Sequence, residues 1–343
     1  MPSLISLAAL GTCAWLASFQ EPAPEPAEGA ARGVYMAAYT KAFLSQLSDG
    51  ARQLAMTSFD VPERRTWAFG PVRREGVNLA QLEPKEFALL ESLLDTVLSK
   101  EGMEAWRQVR ELENVLRKLE STPERVATHR DPDLYWLRVY GDPDPKNAWS
   151  WRFEGHHLAL HVTCQPGRVP TVTPFFLGAS PLIGSGTDKA RVAAFQDLNR
   201  GLHGLLNALD ETAATKVQPG LAGSGPRDVI IPRPGDVRMG PGQAKLPAPS
   251  GASLAELTPE AAAQLEALLA TYLGLLDPEL RTYRLSTIDP SAVHFARWGS
   301  VELDGARTWS ILTDTFALEL ATTDGPAHVH ALLRDVRRDF GGE

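Results

Sequence analysis

Leucines spaced three and four apart run through "LAQLEPKEFALLESLLDTVL" (79–98), and the pattern returns in "LAELTPEAAAQLEALLATYL" (254–273). Leu79, Ala80, Leu82, Pro84, Ala88, Leu90, Glu91, Leu93, Leu94, Thr96 and Leu98 all recur at one constant offset. That spacing predicts a helix with one apolar stripe turned to a core. Pro84 and Pro259 fall in the first turn, where a missing N–H costs nothing, and Thr258 suits the N-cap. A further helix is predicted over 102–120, with Trp106, Val109, Leu112, Val115, Leu116 and Leu119 on its core side.

Elsewhere the pattern alternates. "WSWRFEGHHLALHVT" (149–163) parallels "WSILTDTFALELATT" (309–323); both begin Trp-Ser, alternate, and reach a turn, "QPG" at 165–167 and "TDGP" at 323–326. A second strand follows in each, "RVPTVTPFF" and "AHVHALL", so each copy ends in a β-hairpin. Upstream, "FLSQLSDGAR" (43–52) parallels "LLNALDETAA" (205–214). The chain therefore reads as an internally duplicated α+β protein with halves 33–186 and 187–343. The two antiparallel hairpins are expected to join one sheet across a pseudo-twofold axis. The Gly- and Pro-rich stretch 223–251 is expected as loop.

Composition changes this picture mainly at the N-terminus. The 343 residues are 43% hydrophobic, which suits a substantial core. "MPSLISLAALGTCAWLASFQ" (1–20) resembles the apolar core of an export signal without its positive n-region, and Leu10-Gly11-Thr12-Cys13 is a poor lipoprotein signal. The Pro/Ala/Glu-rich 21–32 is expected as a disordered tether, and the protein as exported to the periplasm or beyond. A net charge of −8 with no basic block argues against nucleic acid, and no apolar run is long enough to span a membrane. Cys13 and Cys164 are the two cysteines, and a cleaved signal leaves Cys164 alone on its strand.

The chemistry gathers at two histidine pairs, His156–His157 and His328–His330. On a strand His328 and His330 share a face, a spacing at which two imidazoles hold one first-row metal ion. His156 and His157 would point to opposite faces, so one of them is expected to join. Glu154 and Asp335 are candidates for a fourth ligand, a base or an orienting carboxylate, with Arg334 paired to Asp335 alongside. Three histidines with one carboxylate or water suit zinc, and also copper or iron. The same spacings also fit a hydrogen-bonded surface pair and a structural pair. His161 reads as an outward strand position, and His129, His203 and His294 as lone residues. Between the helices, "FDVPERRTWAFGPVRREGVNL" (59–79) offers Arg64, Arg74 and Trp67 for an anionic substrate group, or arginines that simply fasten the loop. "RDVRRDFG" lacks every partner of a kinase motif, "GASPLIGSG" lacks a phosphate-cradle lysine, and no nucleophile-elbow serine is present.

Together, "FDVPERRTWAFGP", "RDPDLYWLRVYGDP", "WSWRFEGHHLALHVT", "TPFFLGASP" and "HVH…RD…DFG" resemble the domain-of-unknown-function family 3500 over nearly all of the chain after the tether. The resemblance implies that His156, His157, His328, His330, Arg334 and Asp335 stand at family motif positions, and it implies no reaction. The expectation is an exported metal-dependent hydrolase acting on a small-molecule or peptide-like substrate in a cleft between halves. A copper or iron oxidoreductase and a non-catalytic metal- or anion-binding domain are the alternatives. Oligomeric state is not legible.

Overall fold

The helices begin where the sequence supplies a cap. In a computed structural model, residues 26–119, 122, 129–181, 193–217, 250–299, 307–322, 328–335 and 337–342 are described. They include α1 (Pro26–Gln46), α2 (Asp49–Ala55), α3 (Pro84–Leu94), α4 (Lys100–Leu119), α5 (Ala193–Ala208), α6 (Glu211–Val217), α7 (Pro259–Leu273) and α8 (Pro278–Ser286). Glu83 and Glu86 form a capping box at the start of α3, and Thr258 Oγ1 accepts the Ala261 N–H at the start of α7. The leucine stripes are buried as their spacing predicts: Leu90, Leu93 and Leu94 on α3, and Leu265, Leu268 and Leu269 on α7. Each such leucine contributes about 1.5–3 kcal/mol over an exposed one.

The strands are β1 (Met56–Thr57), β2 (Val77–Asn78), β3 (Tyr135–Tyr140), β4 (Trp149–Gly155), β5 (Leu158–Cys164) and β6 (Phe175–Ala179), then β7 (Ala252–Ser253), β8 (His294–Gly299), β9 (Arg307–Leu312), β10 (Ala317–Thr322) and β11 (Val329–Arg334). They form one sheet, ordered β1-β3-β4-β5-β6-β11-β10-β9-β8-β7, with β2 added to β3. All neighbours are antiparallel except β1 and β3. At the centre, β6 meets β11 with Ala179 opposite Val329 and Gly178 opposite His330.

Both faces of the central strands are covered, so alternation divides two buried environments rather than core from solvent. Trp151, Phe153, Leu160, Phe175, Leu177, Ala331 and Leu333 belong to the main core, with the leucines of the helices. The other face carries a smaller apolar cluster that includes Trp67, Phe69, Phe176, Leu332 and Phe340. Around it lie buried Arg152, Glu154, His161, His330 and Arg334. Polar groups held there must be paired, and most of the site chemistry concerns how.

Helix α1 begins at Pro26, within the segment 21–32 expected as a tether. Two expectations change. Leu119 is exposed at the end of α4, and Glu113 instead lies buried on that helix's core side. His161 is buried, not outward. The 1–20 leader, the 323–326 turn and nearly all of the 223–251 loop lie outside the described residues. No helix among the described residues is long and apolar enough to cross a membrane.

Candidate metal centre

Gly155 pairs with Leu158, so His156 and His157 are the two-residue connection between β4 and β5. They are not strand residues with opposed side chains, as alternation implied. His157 takes a φ of 62°, the left-handed conformation that such a tight turn demands and a β-carbon resists. Backbone bonds hold it there: its N–H donates to Phe69 O at 2.9 Å, and its carbonyl accepts from Gly178 N–H at 2.8 Å. Tyr135 donates its hydroxyl to the His156 carbonyl at 2.9 Å. A β-carbon on Gly155 would lie 2.1 Å from the Tyr135 ring, so only glycine lets that tyrosine reach the turn.

The register of three strands then brings the histidine pairs together. Gly178 follows Leu177, which opposes Leu158 on one side, while Gly178 itself opposes His330 on the other. The His157 ring centroid lies 5.1 Å from that of His328 and 5.4 Å from that of His330, and the latter two are 4.6 Å apart. One ligand nitrogen from each of the three falls within 4.8 Å of the others. His157 Nε2 and His328 Nε2 are 3.1 Å apart, near the roughly 3.3 Å expected of two imidazoles on one tetrahedral zinc at about 2.05 Å each. Such a contact holds one proton between two nitrogens, in the position a cation would take.

His330 Nε2 is buried and has no hydrogen-bond partner. An orphan of this kind costs about 1–3 kcal/mol unless something occupies it. Phe69 and Phe176 flank the His330 ring at 5.0 and 5.2 Å. Burial, reinforced by His328 and His156, pulls His330 down to about 3. Burial also holds His157 well below the usual imidazole value, with His156, His330 and His328 adding to the effect. Two neutral nitrogen donors at neutral pH are what a metal ion requires.

His156 stands beside this trio. Its ring stacks on His157 with centroids 3.8 Å apart and planes 25° apart. Its Nδ1 faces Glu113 Oε1 of α4, and Glu113 Oε2 is buried without a partner. Arg130 Nη1 lies 3.1 and 3.5 Å from the two ring nitrogens, against the ring rather than along either lone pair. Glu113, His156 and His157 also offer three ligand atoms within 4.8 Å. A small cavity of about 10 Å³ opens here, lined in part by Glu113, His156, His129 and Asp131.

The remaining candidates are engaged elsewhere. Glu154 accepts from Ala68 N–H and His161 Nε2 and pairs with Arg74 and Arg152, none of them one of the four paired histidines. Burial alone would raise the Glu154 carboxyl, but Arg152, His161 and Arg74 outweigh it and hold it ionised, below the usual range. Arg334 and Asp335 do not pair with each other beside the histidines. They lie at the far end of β11, about 13 Å along the strand from His330, where Arg334 binds Asp339 and Asp335 binds Arg284. Arg64 donates to the Phe59 and Phe340 carbonyls, and Arg74 donates to Val72, Ala68, Gly70 and Gly155. Trp67 is buried against Phe69 and Phe176. These three fasten the 59–75 loop over the sheet, the second of the roles the sequence left open for the arginines.

Glu113 and His129 lie outside every motif, while Arg130 and Gly178 fall within family-like stretches, RDPDLYWLRVYGDP and TPFFLGASP, without being singled out as site residues. A signal exists for Glu113, four residues beyond Val109 on the apolar stripe of its helix, where a carboxylate needs a partner. Gly178 also opens GASPLIGSG, whose glycines draw attention to a phosphate loop rather than to the histidines.

The fold and site thus define an α+β protein with histidine groups arranged as a metal could use them. Residues 30–342 match the family described as protein of unknown function (DUF3500), and the chain belongs to that family. No curated protein and no solved structure matches it.

Proposed function

We propose that this is an exported metal-dependent hydrolase in which His157, His328 and His330 hold a zinc ion. The observation that carries the proposal is the buried, partnerless His330 Nε2 grouped with the His157–His328 nitrogen pair. Three imidazoles leave a fourth zinc position for water, the arrangement of catalytic rather than closed structural sites. The ion, once bound, supplies a Lewis acid and an activated water. The protein's part is to orient the imidazoles, which Phe69, Phe176 and the backbone bonds at His157 do, and to admit a small-molecule or peptide-like substrate past His156.

We further read the chain as a duplicated unit with the ion at the junction of the halves. Several recurrences support this. Helices α1 and α2 are followed by β2 and a 3-10 turn with a capping box at Asn78 and Gln81. Helices α5 and α6 are followed by β7 and a 3-10 turn with a capping box at Ser253 and Glu256. The sheet order then mirrors itself outward from the β6–β11 pair.

Elemental analysis of purified protein tests the metal. At least one transition metal per chain is expected, zinc foremost, and the His328→Ala/His330→Ala variant should lose it while keeping its circular dichroism. Protein that folds normally and binds no zinc, copper or iron would end the reading. Metal with turnover of ester, peptide or phosphate substrates supports the hydrolase. Oxygen consumption instead would move the reading to a copper or iron oxidoreductase, and metal without either activity to a binding domain.

A further inference from the structure

We infer that Glu113 and His156 hold a second metal ion beside the first, making the centre dinuclear. The inference rests on the metal reading of the three-imidazole group and concerns its neighbour. Adjacent histidines usually invite the assumption of one shared ion, and the ring geometry argues otherwise. An imidazole binds along a lone pair in its own plane. Rings stacked at 3.8 Å and 25° keep those lone pairs in separate, nearly parallel planes, which do not converge on one nearby point. His157 gives Nε2 to the His328 side. His156 turns its Nδ1 to Glu113 instead, and so serves a different, neighbouring ion.

The second position has its own donors. Glu113 Oε1 and His156 Nδ1 are in hydrogen-bond contact, and a metal ion could bind between them in place of that bond. The Glu113 side chain is 2% exposed, yet its Oε2 has no partner. A buried carboxylate with an idle oxygen calls for a further cation contact. The adjoining cavity of about 10 Å³ has room for roughly one water to complete the coordination. Arg130 sets its positive charge against the His156 ring. That charge disfavours a second cation, so the second ion should bind after the first and more weakly.

Metal-free full-length protein titrated with Zn²⁺ by calorimetry, then measured by elemental analysis after gel filtration, decides the matter. The expected result is two sequential ions per chain. Glu113→Gln should bind one and retain the tight step. Arg130→Ala should tighten the second step about tenfold, because a positive charge a few ångströms away is removed. One ion in the wild type, unchanged in Glu113→Gln and Arg130→Ala, overturns the second site and leaves the three-imidazole reading intact. Two ions that Glu113→Gln does not reduce also overturn it. No ion at all overturns both readings. Should Glu113→Gln not fold, the wild-type and Arg130→Ala stoichiometries decide the same question.

Discussion

Gly178 has no side chain where two imidazoles need the space. A β-carbon there would sit 2.8 Å from His157 Cδ2, closer than such atoms approach, and 3.0 Å from His330 Cδ2, a tight contact. Gly178→Ala should therefore cost about 1–3 kcal/mol as an overpacked position. It should also weaken zinc binding about 10–100-fold by turning the rings, the range seen when groups that orient ligands are lost. Gly50→Ala, where nothing lies within 4 Å of the added carbon, is the control that should leave zinc binding unchanged. Paired thermal melts and zinc titrations of both variants read the difference. A second residue-scale prediction concerns His161. Burial outweighs the adjoining Glu154 and lowers its pKa below 6.5. The unfolded chain thus binds a proton there that the folded chain refuses. Its contribution to stability is fully present above about pH 6.5 and is lost as pH falls below it. Chelator-treated wild type should lose melting temperature on acidification from pH 7.5 to 5.5, and His161→Gln should show a shallower slope. An equal slope in both would assign the loss to other groups.

At the scale of elements, much of the plan is legible in advance. The leucine stripes of α3 and α7, the Pro and Thr at their starts, and the alternation of β4, β5 and β10 have local causes, and local causes leave local patterns. The β4–β5 turn is hidden for a physical reason. Gly-His-His carries no Asn or Asp, and its left-handed residue is a histidine, so composition conceals a connection that register reveals. Strand spacing puts Arg152 beside Glu154, but it cannot show Arg74 and Arg284, which reach Glu154 and Asp335 from remote segments. Arg74 carries the element-scale prediction. Its guanidinium donates to Ala68 and Gly70 in the covering loop and to Gly155 at the head of the histidine turn. Arg74→Met would leave those carbonyls without their donor and Glu154 with one arginine fewer. Secondary structure should survive, while zinc affinity falls about 10–100-fold because the turn is no longer pinned. A variant that folds and binds zinc as tightly as wild type would confine Arg74 to holding the loop.

Across the whole molecule, the site exists only because two distant stretches of chain meet. His157 comes from the β4–β5 turn and His328 and His330 from the start of β11, 171 residues apart for the closest nitrogen pair. The pairing of β6 with β11 makes that meeting, and no pattern within either stretch could have specified it. In the sequence, only the parallel between the two hairpins suggests that they lie together. The consequence is a linkage between metal and the central seam. An ion that binds only the folded chain stabilises it by about 2.7 kcal/mol at a hundredfold excess over its dissociation constant. If its ligands come from both stretches, that stabilisation belongs to their junction. Zinc added to the metal-free protein should slow amide hydrogen exchange at Leu158–Leu160 and at Val329–Ala331 together, with α6, which packs on β7 and β8 at one end of the sheet, changed less. Protection appearing on only one of the two strands would mean that the ion is held by one stretch alone, and the three imidazoles would then have some other reason to face each other.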